Sequence, residues 1–305
     1  MTKCTFNKLR GQANKLTLTD STKGSMQIGE TTFDWGTKTF VMGVLNVTPD
    51  SFSRDGVGTD VERAVEQALR FQKWGADIID IGGESTRPAL IYPDSEMVSV
   101  VDELDRVLPV IEALTHLLEI PISIDTYKSE VATQAIASGA EIVNDVWGLT
   151  RDPDIGAVIA KSGVPVILTH NQAHIRYRDV VPDVFGRLHE LAQNAIELGI
   201  SKENIILDPG MGFGKTAQHN LQILRRLREF DALDLPLLVG MSRKSTIGYV
   251  LDLPVDDRIE GTAATVAISI ANGTDIVRVH DVKEMARVAK MTDAIVRGWE
   301  PRSDS

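Results

Sequence analysis

From Phe40 onward, short apolar runs alternate with helical hydrophobic periods eight times in succession, and this regularity restricts the chain to very few folds. The expected strands are Phe40 to Asn46, Asp77 to Ile81, Ile122 to Asp125, Ile142 to Asn144, Pro165 to His170, a run ending at Asp208, Leu235 to Gly240, and Ile276 to His280. Apolar stripes between them predict helices. Thr59 to Glu62 has capping-box spacing ahead of Val61, Ala64, Val65, Ala68 and Leu69, and Gly75 stops that helix. A long helix is expected from Ser95 to Leu118, with others at Ser129 to Gly139, Pro153 to Ser162, Val184 to Leu198, Asn220 to Phe230 and Ile259 to Asn272. The last runs from a box-like Asp281 and Glu284 to Gly298. Asn46 and His280, the first and last polar strand ends, are separated by seven repeats of about 33 residues, the size of a βαβ unit. Unbroken alternation without a dinucleotide fingerprint favours an α/β chain closed as a (β/α)8 TIM barrel over an open doubly wound sheet.

One barrel accounts for residues 28–300. Ahead of it, residues 1–27 are polar, aperiodic and basic and read as a mobile extension, with Met26 an alternative internal start. Thr31 to Lys38 reads as a short hairpin turning near Asp34-Trp35-Gly36 and closing the barrel bottom. A net charge of −11 excludes broad attraction to nucleic acid or an anionic membrane, so any anion must be caught locally. The one cysteine, Cys4, supplies no disulfide framework and fits a reducing, cytoplasmic compartment. No apolar run reaches the roughly 18 residues of a membrane-spanning helix.

Barrel strands point their C-terminal ends into one mouth. Here those ends carry Asn46, Asp80, Asp125, Asn144, His170, Asp208, Lys244 just after the seventh strand, and Arg278 with His280. One polar end is an ordinary strand cap; eight of eight form a site. Acceptors mixed with Lys, Arg and His suit a ligand with an amidine-like hydrogen-bonding edge and an anionic group. The sixth end is the most distinctive, Ile205 to Lys215, IILDPGMGFGK. Gly210, Gly212 and Gly214 let backbone approach a flat ligand, with Phe213 to stack and Lys215 beside it. Neither a P-loop nor a Rossmann glycine spacing is present. A His-x-His zinc pair is also missing from the first strand, and Lys244 lies in a turn instead of inside a strand, where a Schiff-base lysine would stand.

Met42 to Ser53, MGVLNVTPDSFS, Gly82 to Pro88, GGESTRP, Asp208 to Lys215, Ser242 to Gly248, SRKSTIG, and Arg278 to Val282, RVHDV, together resemble the dihydropteroate synthase family from about Thr37 to Val296. The resemblance implies a (β/α)8 barrel, a homodimer, and condensation of 6-hydroxymethyl-7,8-dihydropterin pyrophosphate with 4-aminobenzoate in folate synthesis. Carried over by position, it implies that Asp125, Asn144 and Asp208 hold the pterin edge, that Asp80 supports them, and that Lys244 donates to the ring. Arg278, His280, Asn46, Ser85 and Thr86 match the pyrophosphate site, with Mg2+ near Asn46. Arg87, Pro88, Phe213 and Ser245 match the aminobenzoate site, where Pro88 and Phe213 sandwich the ring. The loop aspartate that stabilises a pterin cation corresponds to Asp55, one residue later than in the commoner family wording. Thr169-His170-Asn171 stands where many members have Met-His-Met, which puts a hydroxyl in place of apolar packing. A pterin-binding paralogue without synthase activity and a methyltetrahydrofolate corrinoid methyltransferase are the alternative readings.

Overall fold

A computed structural model describes residues 23–48, 57–84 and 98–299. It opens with a hairpin of β1 (Ser25–Ile28) and β2 (Thr31–Asp34), antiparallel with Ile28 opposite Thr31. The turn is therefore at Gly29-Glu30, not at Asp34-Trp35-Gly36, and Ser25 to Gln27 belong to a strand instead of the expected extension. The four-residue alternation of Met26 and Ile28 inward with Ser25 and Gln27 outward drives this pairing. Gly29, at φ 55, supplies the backbone that a two-residue hairpin loop demands.

Eight parallel strands follow: β3 (Phe40–Asn46), β4 (Ile78–Gly82), β5 (Ile122–Asp125), β6 (Ile142–Asp145), β7 (Val166–Thr169), β8 (Ile205–Asp208), β9 (Leu238–Val239) and β10 (Ile276–Val279). They pair in the order β8-β7-β6-β5-β4-β3-β10-β9. Beside β9, Leu207 bridges Leu237 in parallel and its N–H donates to the Pro236 carbonyl at 2.9 Å, which closes the ring. Pro236 has no N–H to give, so β9 is cut to two residues where six were expected. The Asp275 carboxylate accepts the Leu237 N–H at 2.8 Å in place of a ladder partner.

Helices α1 (Val57–Trp74), α2 (Val100–Thr115), α3 (Ser129–Ala137), α4 (Ile155–Ser162), α5 (Val180–Glu197), α6 (Ala217–Arg225), α7 (Ser245–Leu251), α8 (Ile259–Ala271) and α9 (Val282–Val296) surround the strands. α1 begins two residues ahead of Thr59, α5 four ahead of Val184, and α6 gives way to a 3-10 turn over Leu227–Leu233. α7 was not expected. Its seven residues are too few to show a period. Asp281 does not cap α9 with its side chain, because its carboxylate is occupied by Arg243.

Strand alternation divides the core in two. Val41, Leu45, Ile79, Ile81, Val143, Leu168, Ile205, Leu207 and Val277 face the helices. Met42, Ile78, Ile142, Ile167, Ile206, Leu238 and Ile276 fill the lower lumen and pack on Met26, Ile28, Phe33, Trp35 and Phe40. The Phe33 and Phe40 rings lie 4.6 Å apart, and Trp35 meets Phe40 edge-on at 5.5 Å. The hairpin is thus a plug. At about 1.5–3 kcal/mol per fully buried large side chain, it seals the lumen from below and leaves only the upper end open.

Candidate active site

Residues two apart on a strand face the same way, so the lumen changes character one step above its apolar floor. There the facing positions are Asp80, Asn144, Thr169, Asp208, Gly240 and Arg278, with Asp125 beside them on β5. Asn46, at the end of β3, is half-buried and registers with Gly82.

Arg278 spans this level. Its Nε donates to Asp80 Oδ2 at 2.6 Å and its Nη2 to Asp125 Oδ2 at 2.7 Å, while Asn144 Nδ2 donates to Asp80 Oδ2 at 3.1 Å. Burial raises the Asp125 carboxyl above its usual range, the Arg278 guanidinium opposes the rise, and the Asp80 charge adds to it. Both aspartates keep a buried Oδ1 without a protein partner. An unsatisfied buried acceptor costs about 1–3 kcal/mol, so two on one wall mark the place of a donor-rich ligand.

Opposite them, Asp208 sits at the end of β8 with Oδ1 accepting the Gly210 N–H at 2.7 Å. Gly210 has φ 68, and a Cβ there would lie 1.9 Å from the His170 carbonyl, so only glycine can follow this strand so tightly. Burial raises the Asp208 carboxyl, and Lys244 acts against the rise. Lys244 Nζ donates to the Met211 carbonyl and stands 5.0 Å from the centre of the Phe213 ring. Burial pulls its pKa down to about 8, with the Asp208 charge holding it from falling further.

Lys215 is turned away from the ligand side that its position in the motif suggests. Its Nζ bonds His170 Nδ1 at 2.8 Å and the Gly210 and Phe213 carbonyls at 3.0 Å each. Burial drives the Lys215 pKa well below the usual lysine value. His170, 2% exposed and beside Lys215, is pushed down to about 3, so it is neutral.

His280 is also neutral, pushed down to about 4 by burial first and by the Arg278 charge second. Its Nδ1 lies 3.0 Å from Ser242 Oγ, which also accepts the His280 backbone N–H at 3.1 Å. The next residue, Arg243, has φ 57, a left-handed conformation that costs a non-glycine residue roughly 1–2 kcal/mol. Its guanidinium is forked onto Asp281, Nε to Oδ2 at 3.0 Å and Nη2 to Oδ1 at 2.5 Å, which holds it there. This kink delivers Lys244 to the lumen as the N-cap of α7, with Ser245 the first helical residue.

The strand ends thus bring Asp80, Asp125, Asn144, Asp208, Lys244 and Arg278 into one chamber, with Phe213, His280 and Asn46 around its rim. Asp55, Ser85, Thr86, Arg87 and Pro88 lie outside the described residues. Two of the three guanidinium nitrogens of Arg278 serve the acidic wall. Sequence reasoning missed the partners Ser242 and Asp281, although both stand inside the SRKS and RVHD motifs.

Residues 42–280, from the third residue of the first barrel strand to the residue after the last, match the family of pterin binding enzymes. The chain is 49% identical over 273 residues to a dihydropteroate synthase of Clostridium beijerinckii, covering 89% of this chain and all of that one. The chain belongs to the dihydropteroate synthase family. Two solved family structures from Xanthomonas albilineans superpose on it. One, with 4-aminobenzoic acid, has a TM-score of 0.83 at 38% identity, covering 89% of this chain and 97% of that chain. The other, in complex with 7,8-dihydropteroate, has a TM-score of 0.81 at 38% identity, covering 89% and 98%. Family membership of this kind favours the synthase over the corrinoid methyltransferase reading. Among the described residues, no helix is long and apolar enough to cross a membrane.

Proposed function

We infer that the chain is a dihydropteroate synthase, joining 6-hydroxymethyl-7,8-dihydropterin pyrophosphate to 4-aminobenzoate to give 7,8-dihydropteroate and diphosphate. The bond from the exocyclic methylene to the diphosphate oxygen breaks, a bond to the aminobenzoate nitrogen forms, and that nitrogen loses a proton. The observation that carries this reading is the acidic wall, Asp80 and Asp125 with an unpaired buried oxygen each, facing Asp208 and Lys244 across a sealed lumen. A pterin edge presents adjacent N–H donors to such acceptors, and its ring oxygen and nitrogens accept from the Lys244 ammonium. Phe213, beside Lys244, offers a face on which the flat second substrate stacks.

As the pterin–oxygen bond breaks, negative charge collects on the leaving diphosphate and positive charge on the pterin. The carboxylates of the lower chamber stabilise the cation electrostatically, while His280 and Asn46 at the rim, and the guanidinium nitrogen of Arg278 that the acidic wall does not use, address the diphosphate. No protein nucleophile is required. A magnesium ion that arrives on a diphosphate needs only one or two protein oxygens, a demand that the half-buried carboxamide of Asn46 at the end of β3 suits. Asn46 would supply one, and the ion would neutralise charge on the departing diphosphate.

A homodimer accords with the apolar side chains left exposed on and around α7, α8 and α9, among them Tyr249, Val250, Ile268, Met291 and Ile295. Light scattering of the purified protein tests it. A cytoplasmic location accords with a folate-pathway activity and the single cysteine. The activity itself is tested by diphosphate release with both substrates and Mg2+. Release that depends on aminobenzoate is expected; pterin binding with no release would make the chain a non-catalytic binder.

A further inference from the structure

Along α6 the buried positions Asn220, Ile223 and Leu224 recur at the three- and four-residue spacing of a core-facing stripe, which continues to Leu227. Asn220 is the polar member of that stripe, at 1% exposure. Its carboxamide is divided between two loops of the barrel mouth: Oδ1 accepts the Gly212 N–H at 3.1 Å, and Nδ2 donates to Thr246 Oγ1 at 2.8 Å. The amide can stand only this way round, since a backbone N–H only donates and so must meet the oxygen. Gly212 lies in the glycine-rich loop after β8, one residue before Phe213, and Thr246 lies in the first turn of α7, two residues after Lys244. Both ends of this strut adjoin the lysine. A Cβ on Gly212 would lie 3.4 Å from Lys244 Cδ, so the lysine stem rests on the glycine. Lys244 Nζ then reaches the Met211 carbonyl and the Phe213 ring, which flank that glycine in the chain.

A hydrogen bond that replaces one to water adds little net stability. What a paired, buried carboxamide adds is a fixed distance between the groups it joins. We propose that Asn220 is a positioning residue that sets the separation of Phe213 from Lys244, and with it the alignment of the two substrates with each other. This rests on the synthase reading, in which Lys244 addresses the pterin and Phe213 carries the aminobenzoate ring. The pterin alone is held by Asp80, Asp125, Asn144 and Asp208, whose places the strands fix. Only a ligand or transition state that spans Lys244 and Phe213 samples the distance between them.

The test compares calorimetric affinity for 6-hydroxymethylpterin, which occupies one side, with that for 7,8-dihydropteroate, which spans both, in full-length Asn220→Ala, Thr246→Val and Thr246→Ser. kcat is measured alongside and counted per pterin-binding site, so that unfolded protein does not enter it. Asn220→Ala is expected to weaken dihydropteroate binding about tenfold, as for a linked ligand whose two sites no longer match its span. Pterin affinity should stay within about twofold, as expected for a site whose own residues do not move. kcat should fall about 10- to 100-fold, the usual effect of a misplacement near 1 Å. Thr246→Val severs one end of the strut and should shift dihydropteroate affinity and kcat the same way by less, whereas Thr246→Ser keeps the hydroxyl and should match the unmodified protein. Thr246→Val added to Asn220→Ala should change nothing further, because both cut one chain of bonds. If Asn220→Ala does not fold, the Thr246 pair decides alone. Equal losses of pterin and dihydropteroate affinity in a folded variant overturn the proposal, as does no loss of either, or a Thr246→Ser as impaired as Thr246→Val. Absence of turnover in the unmodified protein would strike the synthase reading instead, and the two affinities would still decide the strut.

Discussion

Two lysines, the buried Lys215 at the end of the glycine-rich loop and the half-buried Lys244 in the turn after β9, have opposite surroundings. Burial depresses both pKa values. Lys215 spends its protons on two backbone carbonyls and the neutral His170, and so fastens the loop that follows Asp208. Lys244 has one carbonyl, an aromatic face and a carboxylate across the lumen. The difference is one of satisfaction: a buried cation whose donors are all matched by protein is structure, and one left short of partners is held for a ligand. The acidic wall follows the same rule, with Oδ2 of Asp80 and Asp125 engaged and Oδ1 of each left over.

The largest effect that tests this contrast is on folding. Lys215→Met removes the donor shared by the Gly210 and Phe213 carbonyls and His170, and should lower stability by about 2–4 kcal/mol, as several buried acceptors lose their partner together. Denaturant unfolding monitored by circular dichroism would read it. A variant of unchanged midpoint would place Lys215 with the ligand-binding groups. Lys244→Met should leave the midpoint nearly unmoved and cost about 1.5–3 kcal/mol in kcat/KM, roughly ten- to a hundredfold, the worth of a hydrogen bond to a charged group. Loss below twofold would remove Lys244 from the reaction.

Which lysine does which was not legible from the chain. Both stand in motifs that bear on the site, and spacing puts both near the mouth. The direction of Lys215 is set by Gly210 and the carbonyl crowd it creates, a tertiary packing fact with no sequence period. The barrel, by contrast, was readable because burial on two faces imposes local patterns: β3, β5 and β8 fall at the expected residues. Patterns failed where an element is short or its cap is taken. α7 has one turn beyond the minimum, β9 is clipped by Pro236, and Asp281 looks like a helix cap while serving Arg243. The acidic wall was visible as polar strand ends; that Arg278 would lie across it was not, since Asp80 and Arg278 are brought together only by barrel closure.

A smaller effect follows from the Lys244 pKa near 8. The ammonium is charged below that value and neutral above it, so kcat/KM should be level on the acidic side and fall as pH rises through about 8, approaching tenfold per pH unit. Lys244→Arg should abolish the alkaline limb at reduced activity, because a guanidinium stays charged throughout. A wild-type profile flat to about pH 9.5 would show that the charge on Lys244 is not used.

The smallest effect concerns the one residue on which the satisfaction rule and the sequence reading part. Thr169 occupies a position where a hydroxyl replaces expected apolar packing, and on that ground alone it is a packing defect. In the structure it is fully buried, registers with Asp208, and its Oγ1 has no protein partner. By the rule drawn from the two lysines, an unpartnered polar atom on this level faces the ligand. Thr169→Val keeps the shape and removes the hydroxyl. Relief of an unsatisfied buried group should stabilise the empty protein by about 1 kcal/mol, while loss of the same group should weaken pterin affinity by a comparable amount, about fivefold. The two signs must be opposite for the hydroxyl to be a binding group. Thermal melting and pterin calorimetry on the same preparation give both. A rise in stability with affinity unchanged or improved would return Thr169 to the packing reading, and would limit the rule to charged groups, whose desolvation is costly enough to require a partner.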